Sequence, residues 1–351
     1  MKTKWIGLGI LLLVMAAVIG WLFLRPQPVE MVNGYLGGEK IGLFEDEEFV
    51  RLMEKDHKLK LRYRKAGSID MIDADKTDMN YLFPASQTAL ELYRDRIGAT
   101  RRDEIALNTP FVLYTHKLVR DRLSDYGMVT ETGGTYYLDM QQFAQAIVDG
   151  TSWADVGLPE LYGSLSVKTT DPTKSNSGNM FAGLVANSLT GGQVVNQATL
   201  DAILPDLQSF FQRMGYMDTS SADLFSQFLK MGVGAYPMIA AYENQLLEFA
   251  AEYPDEWAQL GGDIVPVYPT PTVYSSHVMI SLDEKGDRAI TAMLDPKIQE
   301  LAWTRHGFRT GVAGTQLNTD SFGVEGVPEQ IIRVMPMPDF QTMDRIIQSL
   351  Q

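Results

Sequence analysis

The sequence predicts an α/β protein, built from parallel sheets with helices on both faces, behind one N-terminal membrane-spanning helix. Strands and helices alternate along most of the chain, and strand, turn, helix repeated in this way is the pattern of parallel sheets. Several strands end in small polar turns, where ligands bind in such sheets. The membrane helix rests on Trp5–Leu24, an uncharged run of 20 residues flanked by Lys2, Lys4 and Arg25. At about 1.5 Å per residue it spans roughly 30 Å, the hydrocarbon thickness of a bilayer.

The leader comes first in the chain. Two lysines before the run, against one arginine after it, point to a cytoplasmic N-terminus and an extracytoplasmic remainder. An uncleaved anchor over residues 1–25 is the expectation, because apolar residues continue through Trp21-Leu22-Phe23-Leu24. A cleaved signal peptide with Val18-Ile19-Gly20 as its small-residue site is the alternative. Pro26 and Pro28 stop the helix, and residues 26–30 form a tether.

Glu30–Leu36 reads as an apolar strand running into Gly37-Gly38, and Asp46–Asp56 as a helix with Phe49, Val50, Leu52 and Met53 at helical spacing. Lys58–Arg64 alternates strictly, as a half-buried strand does, and ends at Ala66-Gly67-Ser68. Asn80–Phe83 is a short strand before Pro84-Ala85-Ser86, followed by a helix from Gln87 to Arg96. Ile105–Tyr114 reads as a strand and Lys117–Asp125 as a helix. The strand-end turns Gly37-Gly38, Ala66-Gly67-Ser68, Pro84-Ala85-Ser86 and Asn108-Thr109 are the first pointer to a site.

The middle of the chain reads as a second lobe. Gly133-Gly134 marks a turn, Leu138–Asp149 a helix and Leu165–Thr169 a strand. A loop rich in hydroxyl and amide side chains, Thr169 to Asn179, then feeds an apolar helix, Met180–Ser188. Backbone N–H groups and hydroxyls at a helix start hold an anion without any cation. An ordinary helix cap explains part of the same pattern, since Ser and Asn are common N-cap residues.

Composition narrows the chemistry. The 351 residues are 45% hydrophobic and 21% charged, with a formal net charge of −14. These are the fractions of a folded protein, and the acidity argues against nucleic-acid binding. Without cysteine there is no disulfide, thiolate zinc site or cysteine nucleophile, and no lipid-modified cysteine to anchor the chain. The four histidines, His57, His116, His277 and His306, form no ligand motif; His277 and His306 read as structural, His57 and His116 as solvated. Asp73–Asp78 begins like a calcium loop but has Asp78 where glycine is needed and Pro84 where glutamate is needed. No phosphate loop, dinucleotide loop or common hydrolase signature occurs, so no catalytic site, metal site or cofactor is expected.

The strand-and-turn series, the loop Thr170-Asp171-Pro172 to Ser175-Asn176-Ser177-Gly178, and the C-terminal pattern resemble the bacterial extracellular solute-binding proteins. That pattern comprises Val265–Thr272, Gly286–Leu294, Gln299–Trp303 and His306-Gly307-Phe308-Arg309. More narrowly, the chain resembles the type 2 periplasmic-binding fold, in the branch of molybdate, tungstate and phosphate binders. The resemblance implies two α/β lobes joined by a hinge of two crossing strands, lobe 1 being 31–114 plus 264–351 and lobe 2 being 115–263. It implies capture of a small solute, an oxyanion as first expectation, for an ABC-type importer. The chain would sit in a bacterial cell membrane as a single-pass protein. Positional match and strand-end geometry place the ligand contacts at Gly38, Glu39, Ser68, Ser86, Thr109, Thr170, Ser175, Ser177 and Gly178. Tyr242 and Glu243, at the end of the Ala235–Glu243 strand, would face the same cleft. A tethered binder without a lipid site is equally suited to be a surface sensor or interaction component that moves no solute.

Overall fold

The computed structural model describes residues 28–311 and 317–351, together with Met15. The expected membrane-spanning run otherwise lies outside the described residues. Among those described, no helix is long and apolar enough to cross a membrane.

In chain order the strands are β1 (Glu30–Leu36), β2 (Leu59–Lys65), β3 (Tyr81–Phe83), β4 (Arg102–His116), β5 (Val129–Thr132) and β6 (Thr135–Asp139). After these come β7 (Met238–Tyr242), β8 (Ile264–Thr270), β9 (Tyr274–Ser281) and β10 (Arg309–Thr310). The first sheet runs β2-β1-β3-β9-β4, with β10 on the far edge of β4. The second is built on the other half of β4, which pairs with β7 and β8, while β6 and β5 extend it beyond β8.

β4 is therefore shared. Its residues Arg102–Pro110 pair with β9, and its residues Phe111–His116 pair with β7 and β8. The return segment runs antiparallel to it for its whole length, from Ile264 opposite His116 to Ser281 opposite Arg102. These two crossing segments join the lobes. A third passage follows β10: Thr272 N–H donates to Arg333 O at 2.9 Å, and Met335 N–H donates to Thr272 O at 2.8 Å.

Both sheets are covered on two faces, as the period of two along each strand requires. In the first, Val32, Leu36, Phe83 and Met279 face one core, while Tyr35, Leu82, Val278 and Ile280 face another. In the second, Phe111 and Leu113 face one core, while Val112 and Tyr114 face the other.

Several expectations change. The sheets are mixed rather than parallel: β1 pairs parallel to β2 and β3, but β9 is antiparallel to both β3 and β4. Long strands that cross between lobes and return must run in opposite directions. Strand pairing also places the crossing differently from a boundary at 263/264, because β8 lies in the second sheet and the chain enters the first only at Tyr274. The C-terminal helix Phe340–Ser349 buries Met343 and Ile346 in the second lobe's core. Leu165–Thr169 forms no strand, only a bridge from Lys168 to Ile239, with a second from the following Thr170 to Asp218. His116 is buried rather than solvated, with Nδ1 2.7 Å from Asp263 Oδ2 and its ring against Phe228.

Candidate functional site

The strand ends of the two lobes face each other across a cleft of about 500 Å³. From lobe 1 it is lined by Gly37, Gly38 and Glu39 after β1, and by Lys65 to Ser68 after β2. From lobe 2 come Lys174 to Ser177, Thr219 to Ala222, and Tyr242, Gln245 and Glu248. A roomier cavity of about 630 Å³ lies against β5, β6 and the end of β8. It gathers none of the strand-end turns of lobe 1, so the interlobe cleft is the better candidate.

The lobe-2 wall is built by the loop from Thr170 into the Asn176–Leu189 helix. Asp171 Oδ1 accepts from Thr173 N–H at 2.8 Å and from Thr173 Oγ1 at 2.7 Å, and Lys174 Nζ lies 3.1 Å from Asp171 Oδ2. Partial burial would raise the Asp171 pKa, but the Thr173 bonds and the Lys174 charge outweigh it and hold the carboxyl below its ordinary value. Ser175 stands at the N-cap without capping, because its hydroxyl lies 2.9 Å from Ser177 Oγ. Ser177 Oγ is also 2.6 Å from Thr170 Oγ1. The hydroxyls are thus tied to each other, and the backbone N–H groups of Asn176, Ser177 and Gly178 have no acceptor among the described residues. The helix behind them is buried from Met180 to Ser188, mostly by apolar side chains, so its start is held in place by the core.

Gly178 has a packing reason of its own. A Cβ there would sit 2.3 Å from Thr170 O and 2.7 Å from the Asp171 carbonyl carbon, so only glycine lets the helix start lie against the loop.

The lobe-1 wall carries charge. Glu39 lines the cleft, and Lys40 behind it is fully buried, its ammonium bonded to Glu39 Oε1 and 2.9 Å from His277 Nδ1. Burial would raise the Glu39 pKa, but the charge of Lys40 holds it well below the carboxylate range. For His277, burial and then the Lys40 charge push the pKa down to about 4. Burial likewise lowers the Lys40 pKa, against the opposing charge of Glu39. Lys65, at the end of β2, has no carboxylate partner within 4 Å among the described residues.

Of the residues expected from sequence, Gly38, Glu39, Ser68, Ser175, Ser177 and Tyr242 come together in the cleft. Tyr242 is buried, and its hydroxyl accepts from Asn176 Nδ2 at 3.0 Å. The others stand behind the wall. Ser86 caps the Gln87–Arg96 helix by accepting from Ala89 N–H at 3.3 Å. Thr109 Oγ1 accepts from Asn244 N–H at 3.1 Å with no exposure. Thr170 and Gly178 brace the loop. Glu243 is a correction: it does not face the cleft but takes a bidentate bond from Arg309, at 2.7 and 2.9 Å, and another from Tyr268 at 2.6 Å.

Sequence reasoning missed Lys65, Gln245, Glu248 and the Thr219–Ala222 turn. The last had a readable signal: Ser220 precedes Asp223 at capping distance, and its hydroxyl accepts from Asp223 N–H at 3.4 Å. Among the described residues, no group of three or more His, Cys, Asp or Glu side chains is placed to hold a metal ion.

No protein-family model and no curated protein matches the chain. Solved structures do. Apo ferric ion-binding protein A from Pasteurella haemolytica superposes with a TM-score of 0.56 at 12% identity, over 91% of this chain and 95% of that one. A Trichodesmium protein in complex with iron and citrate gives 0.55 at 10%, over 92% and 98%. The substrate binding protein of an ABC transporter from Agrobacterium tumefaciens gives 0.54 at 14%, over 93% and 96%. At these identities the likeness shows the fold alone, a two-lobe α/β architecture shared with these proteins.

Proposed function

We propose that this chain captures a small solute between its two lobes, that the solute carries an anionic group, and that it is handed to an ABC-type importer. The single observation behind the anion is the helix start of lobe 2, where three amides have no acceptor among the described residues beside the linked hydroxyls of Thr170, Ser177 and Ser175. Such donors bind an anion without a cationic side chain, and Lys65 adds one across the cleft. The role is binding rather than catalysis. Solute touching both lobes favours the closed state over the open one, and its release resets the equilibrium. The narrower reading, a binder of molybdate, tungstate or phosphate, belongs to this proposal, as does anchoring in a bacterial cell membrane through residues 5–24. So does the alternative that the chain is a surface sensor without transport.

A second reading is that the cargo is ferric iron, favoured by the similar Pasteurella ferric ion-binding protein and the iron- and citrate-bound Trichodesmium protein. Thermal unfolding against molybdate, tungstate, phosphate, small carboxylates and ferric citrate separates the two. On the anion reading the melting temperature rises with anion concentration as ln(1 + [L]/Kd) predicts, without iron. A rise that needs ferric ion, with citrate alone inert, would replace it with the second.

A further inference from the structure

The lobe-1 wall holds an arrangement that capture of a plain anion leaves unused. Lys40 is fully buried, and its ammonium is spent on Glu39 Oε1 and on His277 Nδ1 at 2.9 Å. An ammonium only donates, so His277 Nδ1 accepts and the ring proton sits on Nε2, 3.4 Å from Ser275 Oγ. Ser275 in turn donates to Ala85 O at 2.7 Å, which fixes the chain of partners to the backbone of lobe 1. Phe83 and Phe308 close the apolar surroundings, with Lys40 Nζ 5.0 Å from the Phe83 centroid and the Phe308 centroid 5.1 Å from that of His277.

All of this buried machinery supports one residue at the cleft. Glu39 has a side chain 12% exposed, lines the cleft, and keeps Oε2 without a hydrogen-bond partner among the described residues. Gly37 makes room for it, since a Cβ there would sit 2.3 Å from Glu39 Oε1. A mostly buried carboxylate with a spare oxygen calls for a donor, and a charged donor binds it best. Across the cleft, the amides of Asn176 and Ser177, which have no acceptor among the described residues, call for one. The two demands have opposite sign and belong to different lobes.

Resting on the capture reading above, we infer that the solute is a zwitterion, whose cationic nitrogen is taken by Glu39 of lobe 1 and whose anionic group is taken by the amides of lobe 2. Such a molecule satisfies both walls at once, so it is the one that gains from closure. A plain anion satisfies the amides of lobe 2 and Lys65 but leaves Glu39 Oε2 without a donor.

The test is isothermal titration of the full-length chain in detergent. The probes are ω-amino carboxylates of graded length and arginine, their amine-free carboxylates, the corresponding alkylamines, phosphate, molybdate and ferric citrate. The expected result is that at least one zwitterion binds ten-fold or more tightly than its amine-free and carboxyl-free counterparts. Glu39→Gln is expected to bring that ratio towards one. Amine-free carboxylates that bind as tightly as their zwitterions would overturn the inference, as would a ratio unchanged by Glu39→Gln in a variant that folds. The wild-type comparison stands alone if the variant does not fold. Binding of phosphate or molybdate with no zwitterion binding would overturn this inference and leave the capture reading standing. Binding of nothing in the set would overturn both.

Discussion

Replacing Arg309 by alanine is expected to lower the unfolding free energy by about 3–5 kcal/mol, the range for removing one partner of a buried ion pair. Arg309 belongs to the first sheet through β10, while Glu243 opens the Glu243–Glu252 helix and Tyr268 lies in β8 of the second sheet. The guanidinium and carboxylate side chains are only 5% and 1% exposed. Arg309 also donates to Glu329 O at 2.8 Å and Pro328 O at 2.7 Å, so its loss orphans two carbonyls as well as a carboxylate. Burial would lower the arginine pKa, but Glu243 overcomes it and raises it above the ordinary value. Chemical denaturation of Arg309→Ala and of the double variant Arg309→Met/Glu243→Leu reads the effect. The double variant is expected to recover part of the loss, because no charge is then left buried alone. A cost below about 1 kcal/mol in the single variant would mean the pair behaves as a surface pair.

The second large effect is a pH dependence centred on His277. Its pKa falls from an ordinary 6.5 to about 4 in the folded chain, chiefly through burial and then through the Lys40 charge. Between those values the unfolded chain takes up a proton that the native chain refuses. Stability is therefore expected to fall as pH drops from about 6.5 to about 4, by on the order of 3 kcal/mol from this residue. Below that window its contribution is flat. Glu39, whose pKa is lowered, adds a loss of the same sign only below the ordinary carboxylate range. Comparing unfolding free energies of the wild type and His277→Gln at pH 7.5, 5.5 and 4.5 isolates the term. The wild type is expected to show the steeper slope, and parallel slopes would contradict it.

Much of the architecture was legible because local signals and tertiary packing agreed. Glu30–Leu36, Gln87–Arg96 and Lys117–Asp125 form the elements their patterns predict, over those same residues. Of the four strand-end turns, Gly37-Gly38 and Ala66-Gly67-Ser68 line the candidate cleft with Ser175 and Ser177, as the geometry of open α/β sheets suggests, while Ser86 and Thr109 stand behind it. Other parts were not readable, for physical reasons. Strand direction is set by how the chain crosses between lobes, a long-range property that no local period encodes. Glu243 and Tyr242 are neighbours at a strand end, but alternation sends one side chain to the cleft and the other to Arg309, and a partner 66 residues away is invisible in sequence. His277 reads as a core histidine and is one, yet its contact with Lys40 spans 237 residues and turns it into support for the cleft.

Solute bound in the cleft is expected to draw the two lobes together. The absence of cysteine makes this directly measurable, since two introduced cysteines are the only ones labelled. Arg64 lies beside the cleft at the end of β2, and exposed Tyr216 precedes the Thr219–Ala222 turn on the opposite wall. Spin labels on Arg64→Cys/Tyr216→Cys report the width of the mouth by pulsed dipolar spectroscopy. Capture by closure predicts a distance distribution that shifts to shorter values as a binding solute is added, saturating at the same concentration as the heat of binding. An unchanged distribution at saturating solute would contradict capture by closure.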